Sequence, residues 1–151
     1  MKKVLLCFTM VLFTGFIHAQ DNSPFTFNHL AISVKDVDRS AEFYKNVLKL
    51  PEITNRTKMQ GIRWFSLGEE GKELHLISII EGDITINKAV HLGLTNPNFD
   101  NFIKTLDSLK IIYSDWPGNV HTINVRTDGI KQVFFQDPDG YWIEVNNVAH
   151  K

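Results

Sequence analysis

The chain predicts an α+β fold: two tandem βαβββ modules forming a cupped mixed sheet, with helices on the outer face. Two observations carry this. A run of period two at Phe27–Val34 is followed by a run of helical period, and the same order of patterns returns 62 residues later. His29-Leu30-Ala31-Ile32-Ser33 is thus matched in character by His91-Leu92-Gly93-Leu94-Thr95. Each half, at about 60 residues, is marginal for an independent core, so the two are expected to share one apolar layer.

The N-terminal segment stands apart from the repeat. Lys2-Lys3, the apolar run from Val4 to Ile17 and then Ile17-His18-Ala19 read as the n-region, h-region and cleavage site of a secretory signal. The apolar run is shorter than the roughly 20 residues a membrane-spanning helix needs, so cleavage before Gln20 is expected rather than anchoring. The expected organisation is a signal peptide at 1–19 and a single domain at 20–151, with modules at about 25–80 and 88–148. Such a protein would be exported, periplasmic or secreted, with no membrane association after cleavage. Cys7, the only cysteine, lies in the leader, so the mature chain has neither a disulfide nor a thiol nucleophile. Any metal must then be held by nitrogen and oxygen. Sixteen basic against seventeen acidic residues leave no positive surplus for general nucleic-acid binding.

The elements follow in order. Alternation at Phe27–Val34 puts Leu30, Ile32 and Val34 on one face and His29, Ala31 and Ser33 on the other. Asp36 or Asp38 can cap a helix whose apolar positions are Val37, Ala41, Tyr44, Val47 and Leu48, and Pro51 stops it. Short strands are expected near Glu52–Thr57, Arg63–Leu67 and Glu73–Ile80, then a connector at Glu81–Lys88. In the second half the helix would bury Phe99, Ile103, Leu106, Leu109 and Ile112. Strands near Ile111–Ser114, Lys131–Gln136 and Trp142–Asn146 complete that unit, and Asp137-Pro138-Asp139-Gly140 reads as a tight turn.

Strand alternation then selects the chemistry. His29 and His91 lie on the first strands of the two halves, and His75 and Glu144 on the last strands, all facing away from the apolar layer. Three imidazoles and one carboxylate suit a divalent metal, and Zn, Ni, Fe, Mn and Co all accept such donors. Glu73 shares a face with His75, and a register shift would exchange them. Trp64 could offer a stacking surface to a substrate, as could Trp116 and Trp142, and Arg126 could hold an anionic group. His121 reads as a solvated loop residue. The expected partners are a small-molecule substrate and, at most, a second copy of the chain.

Four motifs together resemble the vicinal oxygen chelate superfamily of glyoxalases, extradiol dioxygenases, epimerases, fosfomycin-modifying enzymes and bleomycin-resistance proteins. They are Asn28-His29-Leu30-Ala31-Ile32-Ser33-Val34, Asp36-Val37-Asp38-Arg39-Ser40-Ala41-Glu42-Phe43-Tyr44, His91-Leu92-Gly93-Leu94 and Phe135-Gln136-Asp137-Pro138-Asp139-Gly140-Tyr141-Trp142-Ile143-Glu144. The resemblance implies a cupped sheet around one divalent metal, with His29, His91 and Glu144 as ligands and His75 or Glu73 in the fourth place. It also implies lyase or isomerase chemistry of the glyoxalase kind. A proton beside a carbonyl would be removed to a metal-bound enediolate, with Glu144 as base and His75 as ligand or second proton carrier. An Fe(II) extradiol-type dioxygenase and a non-catalytic binding protein of bleomycin-resistance type are the alternatives. No phosphate loop, dinucleotide fingerprint or nucleophile elbow is present.

Overall fold

The computed structural model describes residues 26–68, 71–78, 82–83 and 85–149. The expected leader at 1–19, Cys7 and His150 lie outside the described residues.

In the first module, β1 (His29–Ser33), α1 (Val37–Asn46), β2 (Glu52–Ile53), β3 (Ile62–Ser66) and β4 (Glu73–Ile77) follow one another along the chain. The second contains β5 (His91–Thr95), α2 (Phe99–Ser108), β6 (Tyr113–Ser114), β7 (Asn124–Val125), β8 (Lys131–Gln136) and β9 (Trp142–Asn146). Both sheets are mixed, in the orders β1-β4-β3-β2 and β5-β9-β8-β6, with β7 added beside β8. The first strand of each module runs parallel to the last, and the remaining pairs are antiparallel.

The alternation read from the sequence settles the faces. Leu74, Leu76, Val133 and Ile143 are fully buried, and Ile32, Val34 and Val145 nearly so, whereas His29, Ala31, His91 and Gly93 are exposed. Against the apolar side α1 lays Ser40, Ala41 and Tyr44, and α2 lays Phe99, Phe102, Ile103 and Leu106. All of these except Ser40 belong to one apolar cluster spanning both modules, as two half-size units require.

Four local expectations are revised. β2 stops at Ile53 rather than Thr57 because Asn55 competes for the backbone: its Oδ1 accepts from the Thr57 N–H, and its Nδ2 donates to the Met59 and Ile62 carbonyls. Lys49 and Lys110 adopt left-handed backbone at φ 55 and 56, and the N–H groups of Leu50 and Ile111 fold back to the Tyr44 and Leu106 carbonyls. Both helices therefore end in this kind of reversal, and β6 shortens to Tyr113–Ser114. Leu109 and Ile112, expected in the core, are exposed because α2 has ended before them. The pair β7 had no strand signal and exists through its register with Gln132 and Lys131.

The Asp137–Gly140 segment is a tight turn, and it also fastens the modules together. Asp137 accepts the Tyr44 hydroxyl at 2.8 Å, while Asp139 accepts the Ser40 hydroxyl at 2.5 Å and the Lys35 N–H at 2.9 Å. Between β1 and β5, Leu30, Ile32, Leu92 and Tyr141 line an apolar cavity of about 240 Å³. The two sheets are thus separate hydrogen-bonded units joined by side chains and a shared core.

Candidate metal centre

Register determines which residues can act together. In the first sheet His29 stands opposite Glu73, Ala31 opposite His75, and His75 opposite Trp64. In the second, His91 stands opposite Trp142, Gly93 opposite Glu144, and Glu144 opposite Phe134. Overlaying the repeat makes His75 the counterpart of Glu144, and Trp142 the counterpart of Glu73. Where the sequence left His75 and Glu73 as alternatives, the register puts His75 in the equivalent place.

Glu73 has a different task. It is buried, and its two oxygens accept from the Arg56 guanidinium at 2.8 Å and pair with His75 Nε2 at 2.7 Å. The His75 bond, opposed by burial and helped by Arg56, holds the Glu73 carboxyl below its ordinary range. Trp64 stacks flat on His75 with ring centres 4.0 Å apart, and the Arg56 guanidinium lies 4.8 Å from the ring centre. His29 stacks on His75 at 4.4 Å. Trp64, expected as a substrate surface, is buried between these groups and serves as the platform for His75; its buried Nε1 has no hydrogen-bond partner among the described residues.

On the second sheet His91 Nε2 and Glu144 Oε2 face each other at 3.4 Å. Their outer atoms are held in turn. His91 Nδ1 lies 2.9 Å from the Lys88 carbonyl, and Glu144 Oε1 accepts from Asn146 Nδ2 at 2.9 Å. A carbonyl oxygen can only accept, so Nδ1 carries a proton, and Nε2 is the nitrogen turned toward the carboxylate. A nitrogen and a carboxylate oxygen so placed can share a proton or jointly face a metal ion.

His29 and His75 follow the same rule, with one ring nitrogen engaged by an oxygen of Asn28 at 2.7 Å or of Glu73 at 2.7 Å. An imidazole oriented in this way by an outer acceptor is the usual setting of a metal-ligating histidine. The donor chemistry therefore fits a divalent ion. Within the single chain the four expected donors stand as two pairs. The donors stand as His29 with His75 on one sheet and His91 with Glu144 on the other, and among the described residues no three His, Cys, Asp or Glu side chains are gathered so as to hold a metal ion. β1 and β5, which carry His29 and His91, belong to different sheets.

Arg126 lies in the β7–β8 turn with its guanidinium 2.7 Å from the Asp128 carboxylate, and none of its contacts among the described residues reaches the histidines. His121 is exposed, 3.8 Å from Asp107 and edge-on to Tyr113. Trp116 is half-exposed and lies edge-on near His91. Sequence reasoning missed Arg56 and Lys88. Both sit in irregular segments without periodicity, and only the neighbourhood of Lys88 to His91 along the chain could have drawn notice. Burial lowers the Lys88 ammonium below its ordinary value.

Tandem βαβββ modules presenting His and Glu on their open faces define a glyoxalase-type protein. Residues 26–145 match the Glyoxalase/Bleomycin resistance protein/Dioxygenase superfamily, and the chain belongs to that family. It is 27% identical over 128 residues to the metallothiol transferase FosB of Staphylococcus saprophyticus, covering 79% of this chain and 74% of that protein. Among solved structures, it resembles a glyoxalase/dioxygenase from Nostoc punctiforme with a TM-score of 0.64 and 24% identity, covering 95% of this chain and all of that one. It also resembles a lactoylglutathione lyase from Agrobacterium tumefaciens with a TM-score of 0.61 and 18% identity, covering 82% and 94% of the two chains.

Proposed function

We propose that the protein is an exported, metal-dependent enzyme that acts on a small oxygen-bearing substrate by glyoxalase-like lyase or isomerase chemistry. The observation that carries this is the His91–Glu144 pair, in which an imidazole nitrogen and a carboxylate oxygen converge while their outer atoms are held by Lys88 and Asn146. His29, His75, His91 and Glu144 would hold one divalent ion, of Zn, Ni, Fe, Mn or Co type. When bound, the ion supplies Lewis-acid stabilisation of negative charge on substrate oxygens.

The protein's own groups do the rest. Glu144 would take a proton from the carbon beside the carbonyl through Oε2, the oxygen that Asn146 does not hold, on loosening from the ion. His75 would be either the fourth ligand or the second proton carrier, not both at once: Glu73 occupies its Nε2, so Nδ1 is the one nitrogen open to either role. A homodimer belongs to this proposal, because a second copy that set the first sheet of one chain against the second sheet of another would unite the two donor pairs.

The likeness to FosB favours a second reading, metal-dependent transfer of a thiol to a small electrophile. Protein purified without chelator and analysed for metals tests the common premise, and a chain that neither carries nor takes up metal would favour a binding protein. Turnover of hemithioacetals under Ni, Co or Zn supports the isomerase. Thiol consumption with an electrophilic acceptor supports the transferase, and oxygen uptake with catechols under Fe(II) would replace both by a dioxygenase.

A further inference from the structure

We infer that Lys88 is a positioning residue for His91, its ammonium committed to the protein and not offered to a substrate. This rests on reading His91 as a metal ligand. A lysine in a short connector ordinarily reaches into solvent. Lys88 instead turns inward, and Nζ donates to Ser114 Oγ at 3.1 Å, to the Asp115 carbonyl at 2.5 Å and to the Trp116 carbonyl at 3.1 Å. Three donors meet three acceptors, so the ammonium has no proton left for another partner. It also lies 4.7 Å from the Phe134 ring centre and 4.8 Å from that of Trp142, where ring faces favour a cation.

Both ends of this link are stiff. On the acceptor side, Asp115 Oδ1 takes the N–H groups of Gly118 and Asn119 at 2.9 and 2.7 Å, which closes the loop Nζ grips. On the backbone side, Asn87 accepts from Ala89 through its side chain and from Val90 through its carbonyl, each at 3.0 Å. The Lys88 carbonyl is delivered from this turn to His91 Nδ1 at 2.9 Å. One residue therefore fixes the ring nitrogen that must carry the proton, and holds the loop that sets Trp116 edge-on to the same ring.

The test uses the full chain with ¹⁵N-labelled histidine. In the wild type, His91 should report the Nδ1–H tautomer without any metal. Lys88→Met, which keeps most of the stem, should give mixed tautomers at His91 and roughly 10-fold weaker Ni²⁺ binding, the lower end of what loss of an outer partner costs. Ser114→Ala, which removes one of the three acceptors, should shift both readings in the same direction by less. Lys131→Met, which loses only an exposed pair with Asp100, should leave both unchanged. An unchanged His91 tautomer and Ni²⁺ affinity in Lys88→Met would overturn the inference; if that variant does not fold, the same result in Ser114→Ala does so. A wild type that binds no Ni²⁺ sinks the metal reading, while the tautomer comparison still decides the role of Lys88.

Discussion

Tyr44 and Asp137 show how one buried pair joins the two halves of the fold. Burial raises the Asp137 carboxyl above its ordinary value even though Tyr44, Tyr141 and Asp139 all donate to it, and burial with the nearby carboxylate raises the Tyr44 hydroxyl far above its own. Tyr44→Phe leaves one carboxylate oxygen without its donor in an apolar layer. Urea unfolding should show a loss of about 1–3 kcal/mol. The pH signs of two carboxyls oppose each other. Because the folded state raises Asp137, it binds that proton more tightly than the unfolded chain, so this contribution falls as pH rises above the ordinary aspartate range. Glu52, held below its ordinary value chiefly by its bond to Arg63, contributes at neutral pH and loses that contribution as pH falls through and below the ordinary glutamate range. Glu52→Gln should therefore lower stability near neutrality and converge with the wild type in acid, as read from unfolding midpoints across pH.

The two helices start differently, which makes a matched comparison. Asp36 caps α1 by accepting the N–H groups of Asp38 and Arg39, whereas Asn98 at the start of α2 makes no such side-chain bond. Asp36→Ala should cost about 0.5–2 kcal/mol in urea unfolding, and Asn98→Ala much less. At the helix ends Lys110 holds left-handed backbone that costs a side-chain residue about 1–2 kcal/mol, so Lys110→Gly should raise the unfolding midpoint. These elements also mark how far the sequence could be read. Strands β1, β4, β5, β8 and β9 and the faces of their residues were legible because alternation is a local signal that the buried layer reinforces. The ends of β2 and the start of β6 were not, because Asn55 and the left-handed lysines act through backbone bonds that hydrophobic pattern does not encode. In the site, His91 with Glu144 followed from the repeat. Glu73 as the partner of His75, and Lys88 as the partner of His91, required the register and a side chain folded inward from a connector.

Across the whole molecule, the Asp137–Gly140 turn and the common core hold two sheets whose donor pairs remain apart, His29 with His75 and His91 with Glu144. In the proposed enzyme both pairs would serve a single ion, brought together by a second copy of the chain. Calorimetric titration of metal-free protein with Ni²⁺ or Zn²⁺ tests it most directly, comparing the wild type with His29→Ala and His91→Ala. One ion per chain and a large loss of affinity from either substitution are expected, although the two histidines lie on different sheets. Two ions per chain, or a site that His91→Ala abolishes and His29→Ala leaves intact, would contradict it.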